Sequence, residues 1–304
     1  GLSALALGIA YEQLRLFKPD LVYCWSPGFA SHGPDANSPA YDDIIQARSG
    51  IAALNADADG APQFVRSVLC DKVVGLHLAM SVSAALVHRE RTGEGQSIEV
   101  PMLETMAGFI LAEHLAGRTM TPSQGDVGYQ RLMSNHRRPF ETADGYMAIM
   151  PYSTNQWIRF LELVGETSLA GEAWVSNGAE RSNRIDELYE LIALVAVRRT
   201  TAQWLEELGR IDVPCAVVNE LSQVLADPQL SKTGLLGTFD NHDVGDLHYL
   251  KPAFLSDEGI GAKPRRAPHL GEHSRDILGQ LGLTDSEIQR LIDQRVIGEH
   301  RADC

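Results

Sequence analysis

The chain has 304 residues, 44% hydrophobic and 22% charged, a balance that supports a packed core and excludes a largely disordered polypeptide. Its formal charge of -14 excludes a general affinity for nucleic acid or anionic lipid, since both need a basic surface to neutralise phosphate. A chain this long exceeds what one core usually supports, so a large domain and a smaller one are expected.

Cys24, Cys70, Cys215 and Cys304 are scattered and form no Cys-x-x-Cys pair, so neither a zinc site nor a disulfide framework is expected. No run of about 18 uninterrupted apolar residues appears, and no basic segment precedes a cleavable apolar one. The reading is a cytoplasmic protein with reduced thiols, no membrane partner and no nucleic-acid partner.

In chain order, Tyr11 to Phe17 reads as a short helix stopped before Lys18-Pro19. The β-rich run Leu21 to Trp25 reads as a buried strand ending in a turn at Ser26-Pro27-Gly28, and a polar loop follows it to Pro39. Helical spacing returns from Tyr41 to Ser49. Phe64 to Cys70 reads as extended and leads into Asp71, after which Val73 to Arg89 is apolar or small nearly all round, as in a central buried helix. Glycines in Arg91-Thr92-Gly93-Glu94-Gly95 stop that helix before a strand at Gln96 to Val100 and a helix at Met102 to Ala116.

An irregular stretch from Gly117 to Arg138 is long enough to be functional or a connector. Beyond it come a strand at Gly145 to Met150, helices at Asn155 to Val164, Arg184 to Val197 and Thr201 to Leu208, and a strand at Pro214 to Val218. This is the smaller, α+β domain. In the last third, Asp227-Pro228 reads as a helix stop, Leu247 to Leu250 as a strand, and Lys263 to Pro268 as a basic loop. Two short helices near Ser274 to Leu281 and Thr284 to Ile292 complete the chain.

Asp71 admits two readings. As an N-cap it would accept amide protons from the first turn of the following helix. As a nucleophile it would be a carboxylate kept ionised by the helix dipole and aimed into a cleft. His77 and His88 on the apolar helix read as satisfied core histidines. His269 and His273, separated by Gly271, make a poor rigid chelate, and no metal is assigned.

The segment from Asp71 to Met106 (DKVVGLHLAMSVSAALVHRERTGEGQSIEVPMLETM) resembles the hallmark segment of the class III coenzyme A transferases. There an aspartate precedes a small-residue helix, then Arg-Thr-Gly-x-Gly-Gln, a strand and a helix. Similar blocks run in order along the chain, among them Tyr41-Asp42 with Gln46-Ala47 and Ser49-Gly50, Ala143-Asp144-Gly145, Val213-Pro214-Cys215 and Gly271-Glu272-His273-Ser274.

The resemblance implies an enzyme that transfers coenzyme A from an acyl-CoA to a small carboxylic acid through an aspartyl-CoA thioester on Asp71. CoA would be a carrier substrate, with no permanently bound cofactor. Tyr41 and Asp42 would lie beside the reacting centre in contact with substrate, although locally they also read as a packed aromatic and a first-turn dipole partner. Gly128 and Tyr129 fall where family members carry a glycine loop over the aspartate; this chain has Gly128-Tyr129-Gln130-Arg131 instead of a fully glycine-rich loop. Arg137 and Arg138 would meet CoA phosphates, unless they are merely solvated.

The implied fold is α/β: a Rossmann-like large domain formed by both chain ends, a smaller α+β domain inserted, and two subunits interlocked as a homodimer. Residues 1–116 would form the large domain, 128–222 the small one, and 223–304 a connector and C-terminal segment returning to the large domain. Family members have further residues before the point where this chain starts, so the first half of the sheet would be missing. Two alternatives remain: an α-methylacyl-CoA racemase, disfavoured because Tyr41-Asp42 replaces a His-Asp pair, and a non-catalytic relative that binds CoA weakly or only a partner chain.

Overall fold

The computed structural model describes residues 2–240, 245–252 and 265–300; Lys263 and Pro264 of the expected basic loop, and Cys304, lie outside them. The chain forms two compact units, Gly1–Val218 and Asn219–Cys304. The first holds two hydrophobic cores.

In the first core, strand β1 (Val22–Trp25) and strand β2 (Gln96–Glu99) pair in parallel, Val22 opposite Gln96 and Trp25 opposite Glu99. Between them in sequence lie helix α1 (Asp42–Arg48) and the 24-residue helix α2 (Leu69–Thr92); helix α3 (Met102–His114) follows β2. Ile45 of α1, Cys70 and Val74 of α2 and Met106 of α3 meet with Phe29 and Val100 in one buried cluster. Each such burial contributes roughly 1.5–3 kcal/mol.

Gly95 explains why the turn between α2 and β2 carries glycine. A Cβ there would lie 2.3 Å from the backbone of Asp20 and Leu21. Only a bare Cα lets the turn reach the entrance of β1 and set the strands in register.

Two expectations fail in this core. The segment from Phe64 to Cys70, expected to be extended, bends at residues 66 and 67 and turns helical at Leu69, so Asp71 is the third residue of α2 rather than its boundary. Nor is α2 buried all round: only Cys70, Val74 and Ala85 are fully covered, while Leu76 (73% exposed), Met80 and Val87 face outward and His88 is exposed. A helix apolar on every side is built to be covered on both, and the described residues cover one. By length and composition alone α2 could also cross a bilayer. Its first turn is nonetheless bound to α1 by a hydrogen bond described below, and its inner face packs on β1 and α3, as in a core helix.

The second core contains strands and helices read from residues 145–218. Strands β3 (Phe140–Glu141), β4 (Tyr146–Ile149) and β5 (Cys215–Val217) form an antiparallel sheet in the order β3-β4-β5. Helices α4 (Thr154–Leu163), α5 (Ile185–Ala196) and α6 (Thr201–Arg210) supply Trp157, Phe160, Leu188, Ile192, Trp204 and Leu208 to its interior. Trp204 keeps its indole N–H satisfied by the Ala196 carbonyl at 2.8 Å. Local chemistry sets two helix starts: Ser153 with Gln156, and Thr200 with Gln203, each form a capping box.

In the second unit, Asp227-Pro228 starts a helix rather than stopping one. Asp227 accepts from the amides of Gln229 (2.8 Å) and Leu230 (3.1 Å), and proline, which has no N–H to orphan, takes the first helical position of α7 (Pro228–Thr233). Strands β6 (Leu236–Phe239) and β7 (Leu247–Leu250) pair antiparallel; helices α8 (Ser274–Gln280) and α9 (Asp285–Asp293) follow. Glu272 explains the Gly-Glu-His-Ser block before α8. Its carboxylate accepts two bonds from the Arg266 guanidinium and one from the His269 amide, which together hold it down to about pKa 2. The block is a structural clasp.

Candidate active site

The first turn of α2 has no side-chain cap of its own, because Val68 stands at the N-cap position. The Asp71 amide, one of the orphan donors of a helix start, is satisfied from elsewhere in the chain. It donates to Asp42 Oδ1 at 3.1 Å. Asp42, the first residue of α1, is only 6% exposed, and its other oxygen accepts from Gln46 Nε2 at 2.6 Å. Gln46 is wholly buried one helical turn further on, where an i, i+4 spacing places it on the same face.

The Asp71 side chain behaves differently. It is exposed, and among the described residues its carboxylate enters no hydrogen bond or ion pair. Lys72, next to it, donates instead to Ser67 Oγ at 2.8 Å. The cap reading therefore fails in its simple form: Asp71 is not the N-cap, and its carboxylate is not consumed in capping.

Cys70, the residue before it, is the other nucleophile type at this helix start. It is fully buried, and burial first, with the charges of Asp42, Asp71 and Asp43 adding, pushes its thiol up to about 11. A protonated, covered thiol is a poor nucleophile. Asp71, by contrast, is exposed.

Of the other expected site residues, Tyr41 occupies the N-cap position of α1 and is 81% exposed, so it is not packed on the core. Asp42 is brought to Asp71, but both its oxygens face protein donors rather than open space. Gly128, with φ +107°, donates its N–H to the His114 carbonyl at 2.7 Å, and the Tyr129 amide donates to His114 Nδ1 at 3.2 Å. The loop is thus tethered to the buried end of α3, and no hydrogen bond joins it to Asp71.

Arg137 and Arg138 are exposed, and neither enters an ion pair among the described residues. They stand on one wall of a cleft of about 910 Å³, opposite the loop of residues 53–60. That loop folds round Asp57, whose carboxylate accepts from the amides of Ala61 and Asp59 and from Gln63, and is held below the ordinary carboxylate range chiefly by the Ala61 amide. The described residues contain no cluster of histidine, cysteine and carboxylate fit to hold a metal.

An α/β chain with an exposed aspartate on the first turn of a helix, its carboxylate unbonded among the described residues, presents an accessible carboxylate of the kind acyl transfer uses. The chain belongs to CoA-transferase family III, whose model matches residues 3–274. It is 27% identical over 280 residues to a succinate–glutarate CoA-transferase of Agrobacterium fabrum, covering 90% of this chain and 68% of that one. To a formyl-CoA:oxalate CoA-transferase of a Bradyrhizobium species it is 24% identical, covering 98% and 75%. Among solved structures it is similar to a CAIB/BAIF family protein from Brucella suis (TM-score 0.71, 26% identity, 92% and 72% covered). The fold also matches that of Rv3272 from M. tuberculosis (TM-score 0.76, 23% identity, 90% and 73% covered).

Gln46 was not singled out from sequence as a site residue. The signal was present: a buried-side glutamine four residues after an aspartate, within one of the blocks that carry the resemblance.

The thiol geometry makes a direct prediction. Iodoacetamide at pH 8 should leave Cys70 unmodified in the folded protein, with alkylation rising only as the pH nears 11 or the protein is unfolded. Peptide mass spectrometry reads this, and rapid Cys70 alkylation at pH 8 without unfolding would contradict the assignment.

Proposed function

We propose that this protein transfers coenzyme A between an acyl-CoA and a small carboxylic acid through a thioester on Asp71. The observation that carries the reading is the division of labour at α2: Asp42 takes the amide of Asp71, and the Asp71 carboxylate stays unbound and accessible.

In the proposed sequence an Asp71 oxygen attacks the thioester carbon of the donor, expelling CoA thiolate and giving a mixed anhydride. The thiolate then attacks the aspartyl carbon and releases the donor acid as its carboxylate, leaving aspartyl-CoA. The acceptor carboxylate attacks that thioester, again expelling thiolate, which takes the acceptor's acyl carbon and returns Asp71 as a free carboxylate. Every bond broken is matched by one formed, with no redox step. The positive end of α2 faces the charge that collects during each attack. Succinate, glutarate and oxalate, which name the acids of the relatives, are the acceptors to try first.

Under the same reading Tyr41 lies beside the substrate, Gly128 and Tyr129 shape a lid over Asp71, and Arg137 and Arg138 bind CoA phosphates from the cleft wall. The large domain is Rossmann-like, and residues 223–304 form the connector and C-terminal segment that return to it. The outward face of α2 packs in an interlocked homodimer. Light scattering should give the mass of two chains at micromolar concentration, and a folded monomer there would contradict the dimer.

Incubation with succinyl-CoA or formyl-CoA followed by hydroxylamine should convert Asp71 alone to a hydroxamate. Asp71→Asn should keep the fold and lose transfer by several orders of magnitude, since it removes the nucleophile and leaves the amide bonded to Asp42. An Asn variant that turns over at the parent rate, or a label on Asp42, would overturn the proposal.

A further inference from the structure

We infer that Gln46 is a positioning residue for Asp71, acting through Asp42 and through the chain segment that leads into α2. The inference rests on the reading of Asp71 as nucleophile.

Gln46 is wholly buried, and each end of its amide group is in use. Its Oε1 accepts from the Val65 amide at 2.8 Å, while its Nε2 donates to Asp42 Oδ2 at 2.6 Å and lies 3.4 Å from the Val65 carbonyl and 3.3 Å from that of Ser67. Toward Val65 the side-chain amide thus presents an acceptor and a donor together, as a neighbouring strand would. This holds Val65 in place without a strand partner, just before the chain bends at residues 66 and 67.

The same group therefore reaches Asp71 by two routes. Through Val65 and Ser67 it fixes the approach to the helix, where Leu69 N–H bonds the Ser67 carbonyl at 2.7 Å. Through Asp42 it fixes the carboxylate that receives the Asp71 amide. The backbone of Asp71 is held from both sides while its carboxylate takes no hydrogen bond or ion pair among the described residues. A nucleophile without side-chain partners takes its aim from its backbone, and misplacement by about 1 Å can cost on the order of 100-fold in rate.

A glutamine is needed here rather than any buried polar group. Asp42 offers two acceptor oxygens and Val65 offers a donor, so the residue between them must donate on one side and accept on the other, which a carboxylate cannot do. Gln46→Glu keeps size, shape and the acceptor for Val65, yet sets a second carboxylate against Asp42. Protonation of the introduced group restores a donor. Lowering the pH should thus repair the variant, whereas loss of packing alone would not be repaired.

The test compares parent and Gln46→Glu by the rate of hydroxylamine-trapped labelling of Asp71 with succinyl-CoA or formyl-CoA, at pH 8 and pH 5.5, with circular dichroism to verify the fold. Gln46→Leu, which cannot be repaired by protonation, is the control. The expected result is labelling about 100-fold slower in Gln46→Glu at pH 8, and a variant-to-parent ratio recovering at least tenfold at pH 5.5, with no recovery in Gln46→Leu. Equal labelling of parent and folded Gln46→Glu at pH 8, or equal recovery in both variants, would overturn this inference and leave Asp71 as nucleophile. Absence of label in the parent itself would remove the nucleophile, and this inference with it.

Discussion

A hydrogen bond from the backbone of one aspartate to the side chain of another organises the reactive end of this molecule. A helix start leaves amide donors that must be satisfied, most often by the side chain of the residue just before the helix. Here that residue is Val68, which has nothing to offer. The acceptor comes from Asp42, 29 residues earlier. Because the cap is borrowed from another helix, an acidic residue can occupy the first turn with its own oxygens left over. Had Asp71 been the cap, its carboxylate would have been spent on its own helix, and the two sequence readings of that residue would have excluded each other.

The arrangement depends on the core beneath it. Ile45 and Cys70 pack in the same cluster, so α1 and α2 are joined by apolar contact as well as by the Asp42 bond. Gln46 lies on the same helix as Asp42, one turn away, and ties in the segment that precedes α2. The polar network is buried and its members are partnered, the condition under which such networks fix one geometry rather than loosen it. A helix dipole, a covered thiol and an unbound carboxylate then coexist within three residues. The thiol is disarmed by burial, and the carboxylate is exposed.

Much of the fold was legible because its signals are local. Ser153 and Thr200 mark helix starts through side chains that bond amides three residues on, and sequence placed both boundaries to within a residue. Strands β4 and β5 were equally plain, β4 through its alternating burial, whereas the two-residue β3 was not marked. What sequence misplaced was set at a distance. The segment from Phe64 reads as extended, but Val65 is held by a glutamine side chain and the chain bends just after it, and the start of α2 lies before Asp71, whose amide Asp42 takes from afar. The burial of α2 was overstated because composition reports how apolar a helix is, not how much of it the rest of the chain covers. At Asp227-Pro228, proline was read as a stop when the aspartate before it makes it a start. As for the site, Asp71 and Asp42 were named from sequence, while Gln46 went unmarked because its role appears only once the segment it holds is seen.

The measurement that tests this account most directly follows oxygen. A single turnover is run with an acceptor acid, such as glutarate or oxalate, carrying oxygen-18 in its carboxylate, and the tryptic peptide Ser67–Lys72 is then weighed. When the thiolate takes the acyl carbon from the anhydride, the bridging oxygen stays with the aspartate, so Asp71 should gain one heavy oxygen. Turnover that leaves that peptide unlabelled, or places the heavy oxygen on Asp42, would contradict the account.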